Sequence, residues 1–303
     1  MNIVITQLGP KKADYLIECV KQLLLFNNKN IYIISTEYHK KLLIKNKIYN
    51  KINFFYETEF AKEKKHSLFL KGTDLDKKWY ESFWLKTTER FFFIDLLAKK
   101  LKLKNIFHLE TDNLIYTNLD RYTKVVEKKF NMLFTMINNQ ICYGNIIYFK
   151  SSKETNLFSE FVYQNNRKIF FKNKLNDMEL VTLFYKKYKN KKNNLFPISC
   201  KEILSFYNLT SITNAYLSNY NIFKGIFDAA PIGQIIDGVD NNIHKVKGPF
   251  KNRNYFMDSS ALKIKFIKIH NKKKPFVCLN NKIKIPILNI HFHSKNLKEF
   301  TSY

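Results

Sequence analysis

Two acids one residue apart, Glu110 and Asp112, follow directly on the apolar run Ile106-Phe107-His108-Leu109. If that run is a strand, both carboxylates project to the same side, because alternate residues share a face. Such a pair suits a hard divalent cation, Mg²⁺ or Mn²⁺, which takes oxygens from one or two protein carboxylates and leaves its other positions to water and phosphate. The chemistry indicated is the gripping of a diphosphate, with a solvated turn as the plain alternative. Leu114-Ile115-Tyr116 resumes the apolar pattern at once. Charges set between two buried runs carry a desolvation cost that argues for a task.

A second set stands near the far end, in Ile290-His291-Phe292-His293-Ser294-Lys295. Strand alternation predicts His291, His293 and Lys295 on one side and Ile290 and Phe292 on the other. A neutral imidazole can complete a cation's shell, and an ammonium can neutralise charge developing on a departing diphosphate. The alternative is the wet face of an edge strand. Lys86 and Arg90 are spaced four apart, one face of a helix, and could hold phosphate or sugar hydroxyls or form a solvated basic pair.

The elements that must position these groups are legible in the periodicity. Ile3-Val4-Ile5 reads as a strand halted at Gly9-Pro10, and Ala13 to Phe26 as a helix, with Leu16, Cys19, Val20, Leu23 and Leu24 at three- and four-residue steps. A strand at residues 31–34, a helix around Tyr38 to Ile48 and a strand at residues 52–56 extend this into half of a mostly parallel sheet. Such sheets bind ligands beyond the carboxyl ends of their strands. Trp84 to Leu103 reads as a long helix leading into the strand that ends at the acids. Met132-Leu133-Phe134-Thr135 and Asn145-Ile146-Ile147-Tyr148-Phe149 read as two strands around Tyr143-Gly144. Helices are expected at Glu154 to Gln164 and Asp177 to Tyr188, then strands at Leu262 to Ile269 and Lys284 to Phe292. No internal repeat interrupts the chain.

Composition limits the function classes. Across 303 residues, 45% hydrophobic and 16% aromatic content excludes a disordered chain. The net charge of +27 invites a polyanion or an anionic membrane surface. The excess is nearly all Lys, spread from end to end among Asn, Ile, Phe and Tyr. That is the set favoured by AT-rich codons, whereas nucleic-acid readers concentrate Arg and Lys on one face. No apolar run is long enough to cross a membrane and no signal-peptide layout opens the chain, so a cytoplasmic location is expected. Cys19, Cys142, Cys200 and Cys278 form no C-x-x-C pair and read as buried small hydrophobes.

Taken in order, Trp84-Leu85-Lys86-Thr87-Thr88-Glu89-Arg90-Phe91, His108-Leu109-Glu110-Thr111-Asp112-Asn113-Leu114-Ile115-Tyr116, Gly144-Asn145-Ile146-Ile147-Tyr148-Phe149 and His293-Ser294-Lys295-Asn296-Leu297 resemble the nucleotide-sugar-dependent glycosyltransferases of the GT-A fold. The family carries Asp-x-Asp where this chain has Glu110-Thr111-Asp112. The resemblance implies an α/β fold, a mixed sheet flanked by helices, in one catalytic domain over 1–303. Residues 1–125 would be the nucleotide-sugar-binding half, and 126–303 the acceptor-side half, whose last strand returns to the metal. It implies Glu110, Asp112, His291 and His293 as candidate metal ligands, and Lys295 at phosphate with Lys86 and Arg90 as further donor-binding candidates. It also implies Thr6 and Gln7 at the base and ribose. Asn176-Asp177-Met178-Glu179 is similar to the acidic segment beside the acceptor in these enzymes, so Asp177 and Glu179 are the catalytic candidates. Asp177 is equally explained as a helix N-cap and Glu179 as a first-turn acid. The small-residue segment Phe227 to Asp240 could line an acceptor or sugar pocket, or be a plain loop.

The expectation is a glycosyltransferase that uses Mn²⁺ or Mg²⁺ to move a sugar from a nucleotide-diphosphate donor to a hydroxyl of a surface glycan, lipid-linked or free. A peripheral seat on an anionic membrane is compatible with it. Two rivals stand beside it. A nucleotidyltransferase would show a glycine-rich phosphate loop after the first strand, which Thr6-Gln7-Leu8-Gly9-Pro10 does not supply. A nucleic-acid- or polyanion-binding protein would depend on its charge and lose affinity steeply with salt.

Overall fold

The computed structural model describes residues 1–10, 12–166, 175–208, 214–240, 248–252, 254–280 and 283–303. The chain opens with β1 (Asn2–Thr6), α1 (Leu16–Leu25), β2 (Asn30–Ser35), α2 (Glu37–Lys45), β3 (Asn53–Tyr56), α3 (Lys64–Gly72) and α4 (Phe83–Lys100). It continues with β4 (Lys104–Leu109), β5 (Asn113–Ile115), α5 (Thr123–Lys129), β6 (Met132–Met136), β7 (Cys142–Ser151), α6 (Ser152–Asn165) and α7 (Asp177–Tyr188). There follow β8 (Asn193–Leu195), α8 (Lys201–Phe206), α9 (Tyr220–Phe223), β9 (Ile226–Phe227) and α10 (Pro231–Asp237). The last strands are β10 (Ile264–Ile269), β11 (Lys272–Leu279) and β12 (Ile283–His291).

The fold is a mixed α/β architecture. Seven strands form a sheet in the order β3-β2-β1-β4-β7-β6-β8. β1 runs parallel to β2 and β4, whereas β7 is antiparallel to both β4 and β6. Alternation sends successive residues to opposite cores. Ile3, Ile5, Phe107, Leu109 and Tyr148 face a core shared with α1 and the C-terminal strands. Val4, Ile106, Ile147 and Phe149 face one built by α4, α6 and α7. Because both faces are covered, β4 reads as a continuous apolar run and buries even His108.

Two expectations change. Tyr143 and Gly144 lie inside the ten-residue β7 rather than between two strands. β11 was not evident in the periodicity: its first half is Lys272-Lys273-Lys274-Pro275, and only pairing with β10 and β12 makes it a strand. These strands join β5 in a second sheet, β10-β11-β12-β5. The pairing of β12 with β5 sets His291 opposite Asn113 and so brings the end of the chain back to the acids.

Candidate functional site

β4 ends at Leu109 and the backbone turns sharply, with the Asn113 amide donating to the Glu110 carbonyl (3.2 Å). The Glu110 amide donates to the Asn145 carbonyl of β7 (3.0 Å), and the Phe292 amide to the Asp112 carbonyl (2.9 Å). Buried asparagines complete the frame. Asn289 donates to the Asn113 side-chain oxygen (2.7 Å), Asn113 to the Asn145 carbonyl (3.0 Å), and Asn145 to the Asp228 carbonyl (2.9 Å). Side-chain amides in strands that are otherwise apolar satisfy the backbone groups left over where β4, β5, β7, β9 and β12 meet.

On that frame Glu110, Asp112 and His291 each offer one ligand atom, all within 4.8 Å of one another. His291 Nε2 lies 2.9 Å from Glu110 Oε2 and 2.9 Å from Asp112 Oδ1, yet it makes a well-directed hydrogen bond to neither. A buried nitrogen equidistant from two carboxylates fits the geometry of a cation's ligand set. Burial disfavours the charged imidazole, but Asp112 and Glu110 outweigh it and lift His291 to about 9. Burial likewise opposes ionisation of Asp112, and His291 with Lys295 outweighs it, holding that carboxyl well below its usual range.

His291 is the last residue of β12, so alternation does not carry on to His293 and Lys295. Beyond it the chain turns, with the Lys295 amide donating to the Phe292 carbonyl (3.1 Å) and Lys295 itself left-handed at φ 68°. That turn, and not a strand face, sets the Lys295 ammonium on Asp112. His293 stacks edge-on against His291 (4.4 Å between centroids) and its Nε2 meets the Tyr143 hydroxyl at 3.2 Å. His293 lines the cleft beside the three-residue cluster of Glu110, Asp112 and His291.

Arg90 lines the cleft and pairs through its two terminal nitrogens with protein carboxylates, while its buried Nε has no hydrogen-bond partner among the described residues. It donates to Glu110 and, through its second terminal nitrogen, to Asp177 (2.6 Å). Gly144 permits this: a Cβ there would stand 2.7 Å from the Arg90 terminal nitrogen. Arg90 thereby links α4, the end of β4 and α7. Asp177 is not the helix cap. Asn176 caps α7, its side chain accepting from the Glu179 amide (3.1 Å), and the Glu179 carboxylate accepts from the Asn176 amide (2.8 Å). Glu179 is thus an exposed member of a capping box and does not line the cleft, whereas buried Asp177 does. Burial pushes the Asp177 carboxyl up to about 6, and Glu110 adds to this against the pull of Arg90.

A cleft of about 470 Å³ opens over these groups. Thr6 and Gln7 at the end of β1 line it, and Thr111 donates to the Gln7 side chain (3.1 Å). Lys86 lines it from α4, and Tyr15, Tyr143 and Tyr255 supply aromatic wall. Within the segment Phe227 to Asp240, Gln234 and Asp240 reach the cleft, while Asp228 serves the frame. The Asp228 carboxylate accepts from the amides of Ala230 (2.9 Å), Ile232 (3.0 Å), Gly233 (3.0 Å) and His291 (3.1 Å). Sequence reasoning missed Asp228, Tyr143 and the asparagines. The available signal was their polarity within apolar runs.

No family model matches the chain, and no curated protein matches it. Among solved structures it is similar to mouse xyloside xylosyltransferase 1, at 11% identity over 71% of this chain and 93% of that one, with a TM-score of 0.44. It is similar to the galactosyltransferase LgtC in complex with donor and acceptor sugar analogues, at 11% identity over 65% and 73%, with a TM-score of 0.42. It is also similar to the PaToxG glycosyltransferase, at 13% identity over 61% and 68%, with a TM-score of 0.41. With every one of these scores below 0.5, the functional reading rests on the site's own residues.

Proposed function

We propose that this protein is a metal-dependent glycosyltransferase of the GT-A type, moving a sugar from a nucleotide-diphosphate donor to a hydroxyl of a glycan acceptor. One observation carries the reading. Ligand atoms of Glu110, Asp112 and His291, from positions about 180 residues apart in sequence, meet at one end of a cleft with the Lys295 ammonium beside them.

Two carboxylates and an imidazole would hold the cation, and the mixed oxygen and nitrogen set favours Mn²⁺ over Mg²⁺. When bound, the cation would supply charge neutralisation to the diphosphate. Lys295 is placed to take up charge as the nucleoside diphosphate departs, and Lys86 to meet a second oxygen. Arg90 keeps Glu110 and Asp177 at a fixed separation, and Asp177 is placed to orient sugar hydroxyls. His293 packs against His291 and limits its rotation. Thr6 and Gln7 offer hydrogen bonds for a base or ribose, and the tyrosine-rich wall suits sugar faces. The acceptor is a glycan hydroxyl, free or lipid-linked.

The test is a panel of nucleotide sugars incubated with the protein and Mn²⁺, read as slow release of free nucleoside diphosphate without an acceptor. Release from one donor that stops on chelation is expected. A protein that binds Mn²⁺ yet releases nucleotide from no donor would overturn the reading.

A further inference from the structure

Behind Lys86 lies a buried chain of polar groups that none of the roles above uses. Lys86 Nζ donates to Glu89 Oε2 at 2.8 Å, three residues on along α4. The other oxygen of Glu89 lies 2.9 Å from His66 Nε2 on α3. Glu89 and His66 are buried to 2% and 1% of side-chain exposure, while Lys86 keeps 29% and lines the cleft. A buried carboxylate costs stability unless it is paired. Here burial opposes ionisation, and His66 and Lys86 together outweigh it, so Glu89 is held charged.

An ionised carboxylate can only accept, so His66 must present a proton at Nε2. The ring is fixed in that orientation by stacking on Phe92 (4.9 Å, 8°) and an edge contact to Phe93 (5.2 Å). The loop after β1 passes beside the stem of Lys86. Gly9, at φ 79°, comes so close that a Cβ there would sit 3.4 Å from Lys86 Cε. Its amide donates to Glu57 (2.8 Å), which pins that loop. Among the described residues the ammonium is thus held by Glu89 at the edge of the cleft, and an ammonium has three N–H groups to offer.

We infer that Glu89, backed by His66, is a positioning residue that holds the Lys86 ammonium ready for an anionic oxygen of the ligand. This rests on reading the cleft as a diphosphate site. A purely structural role for Glu89 would stabilise α4 but would act on ligand affinity independently of Lys86.

A double-mutant cycle separates the two roles. The probe is inorganic pyrophosphate with Mn²⁺, titrated into the whole protein by calorimetry, so that no nucleotide base need be known. Glu89→Gln and Lys86→Met are each expected to weaken binding about tenfold, and the double variant no more than Lys86→Met alone. Losses that multiply in the double variant, or unchanged binding by either single variant, would overturn the inference. Glu89→Asp, which keeps the charge but withdraws it by one methylene, serves if Glu89→Gln does not fold. It should weaken binding in the wild-type background and not in the Lys86→Met background. Absence of pyrophosphate binding to the unaltered protein would remove the diphosphate reading itself. Binding with multiplicative losses would remove only the positioning role.

Discussion

Asp112 touches both His291 and Lys295, so it is a residue on which the middle of the chain meets its C-terminal segment. Asp112→Asn preserves shape and removes the charge that a cation and an ammonium share. It should lower metal-dependent release of nucleotide at least about 100-fold, read on protein whose circular dichroism matches the parent. Equal activity in the two proteins with added Mn²⁺ would end the assignment. His291 makes a pH prediction. Without metal its imidazole holds a proton up to about pH 9, and a cation requires the neutral ring. Below that pH binding must expel a proton, so Mn²⁺ affinity should rise by up to about tenfold per pH unit between pH 6 and 8. Titrations in buffers of different ionisation enthalpy would read the released proton. A pH-independent affinity would show that His291 is not a ligand.

At the scale of elements, the geometry depends on how closely α10 approaches the end of β12. A Cβ on Gly233 would stand 2.0 Å from the His291 carbonyl oxygen, a backbone atom that cannot swing away. Gly233→Ala should cost about 2 kcal/mol or more in stability and weaken Mn²⁺ binding together, because α10 and the ligand strand must separate. Chemical denaturation alongside metal titration tests the coupling. Asn176→Ala is the contrasting case. Losing the α7 cap should cost about 1 kcal/mol while Mn²⁺ affinity stays unchanged, since the capping box faces solvent rather than the cleft. A metal-binding defect in that variant would mean that α7 is not held independently by Asp177 and Arg90.

At the scale of the molecule, the charge of +27 is distributed along the whole chain. None of the described helices is long and apolar enough to cross a membrane. A lipid-linked acceptor would be met at a membrane surface, where each Lys near anionic headgroups contributes about 1 kcal/mol. Flotation with vesicles containing phosphatidylserine should show binding at low ionic strength that is lost on raising salt to about 0.5 M, where the Debye length shrinks to a few ångströms. Vesicles of neutral lipid should leave the protein unbound. No flotation with anionic vesicles at low salt would reject a membrane seat and leave the site reading untouched.

Local chemistry made much of this legible in advance. Short apolar runs marked β1 through β4, because the sheet is covered on both faces, and three- and four-residue steps marked α1, α2 and α4, whereas α3 was not expected. The run of β4 into Glu110 and Asp112 could be read as a strand end carrying two acids. Other features depended on contacts distant in sequence. Lys272-Lys273-Lys274 becomes strand only because β10 and β12 supply its hydrogen bonds. Arg90 meets Glu110 and Asp177 only because β4 and α7 bring those acids to it, and Asp177 could not be told from a cap until Asn176 took that place. Lys295 reaches Asp112 through a left-handed turn that no alternation rule describes. The sequence by itself determined which residue types were available and which elements would carry them, since propensity and burial pattern act over a few residues. Only the tertiary structure decided which acid meets which base, because the pairing energy of buried charges depends on distance and desolvation, and both are set by how far-apart segments pack.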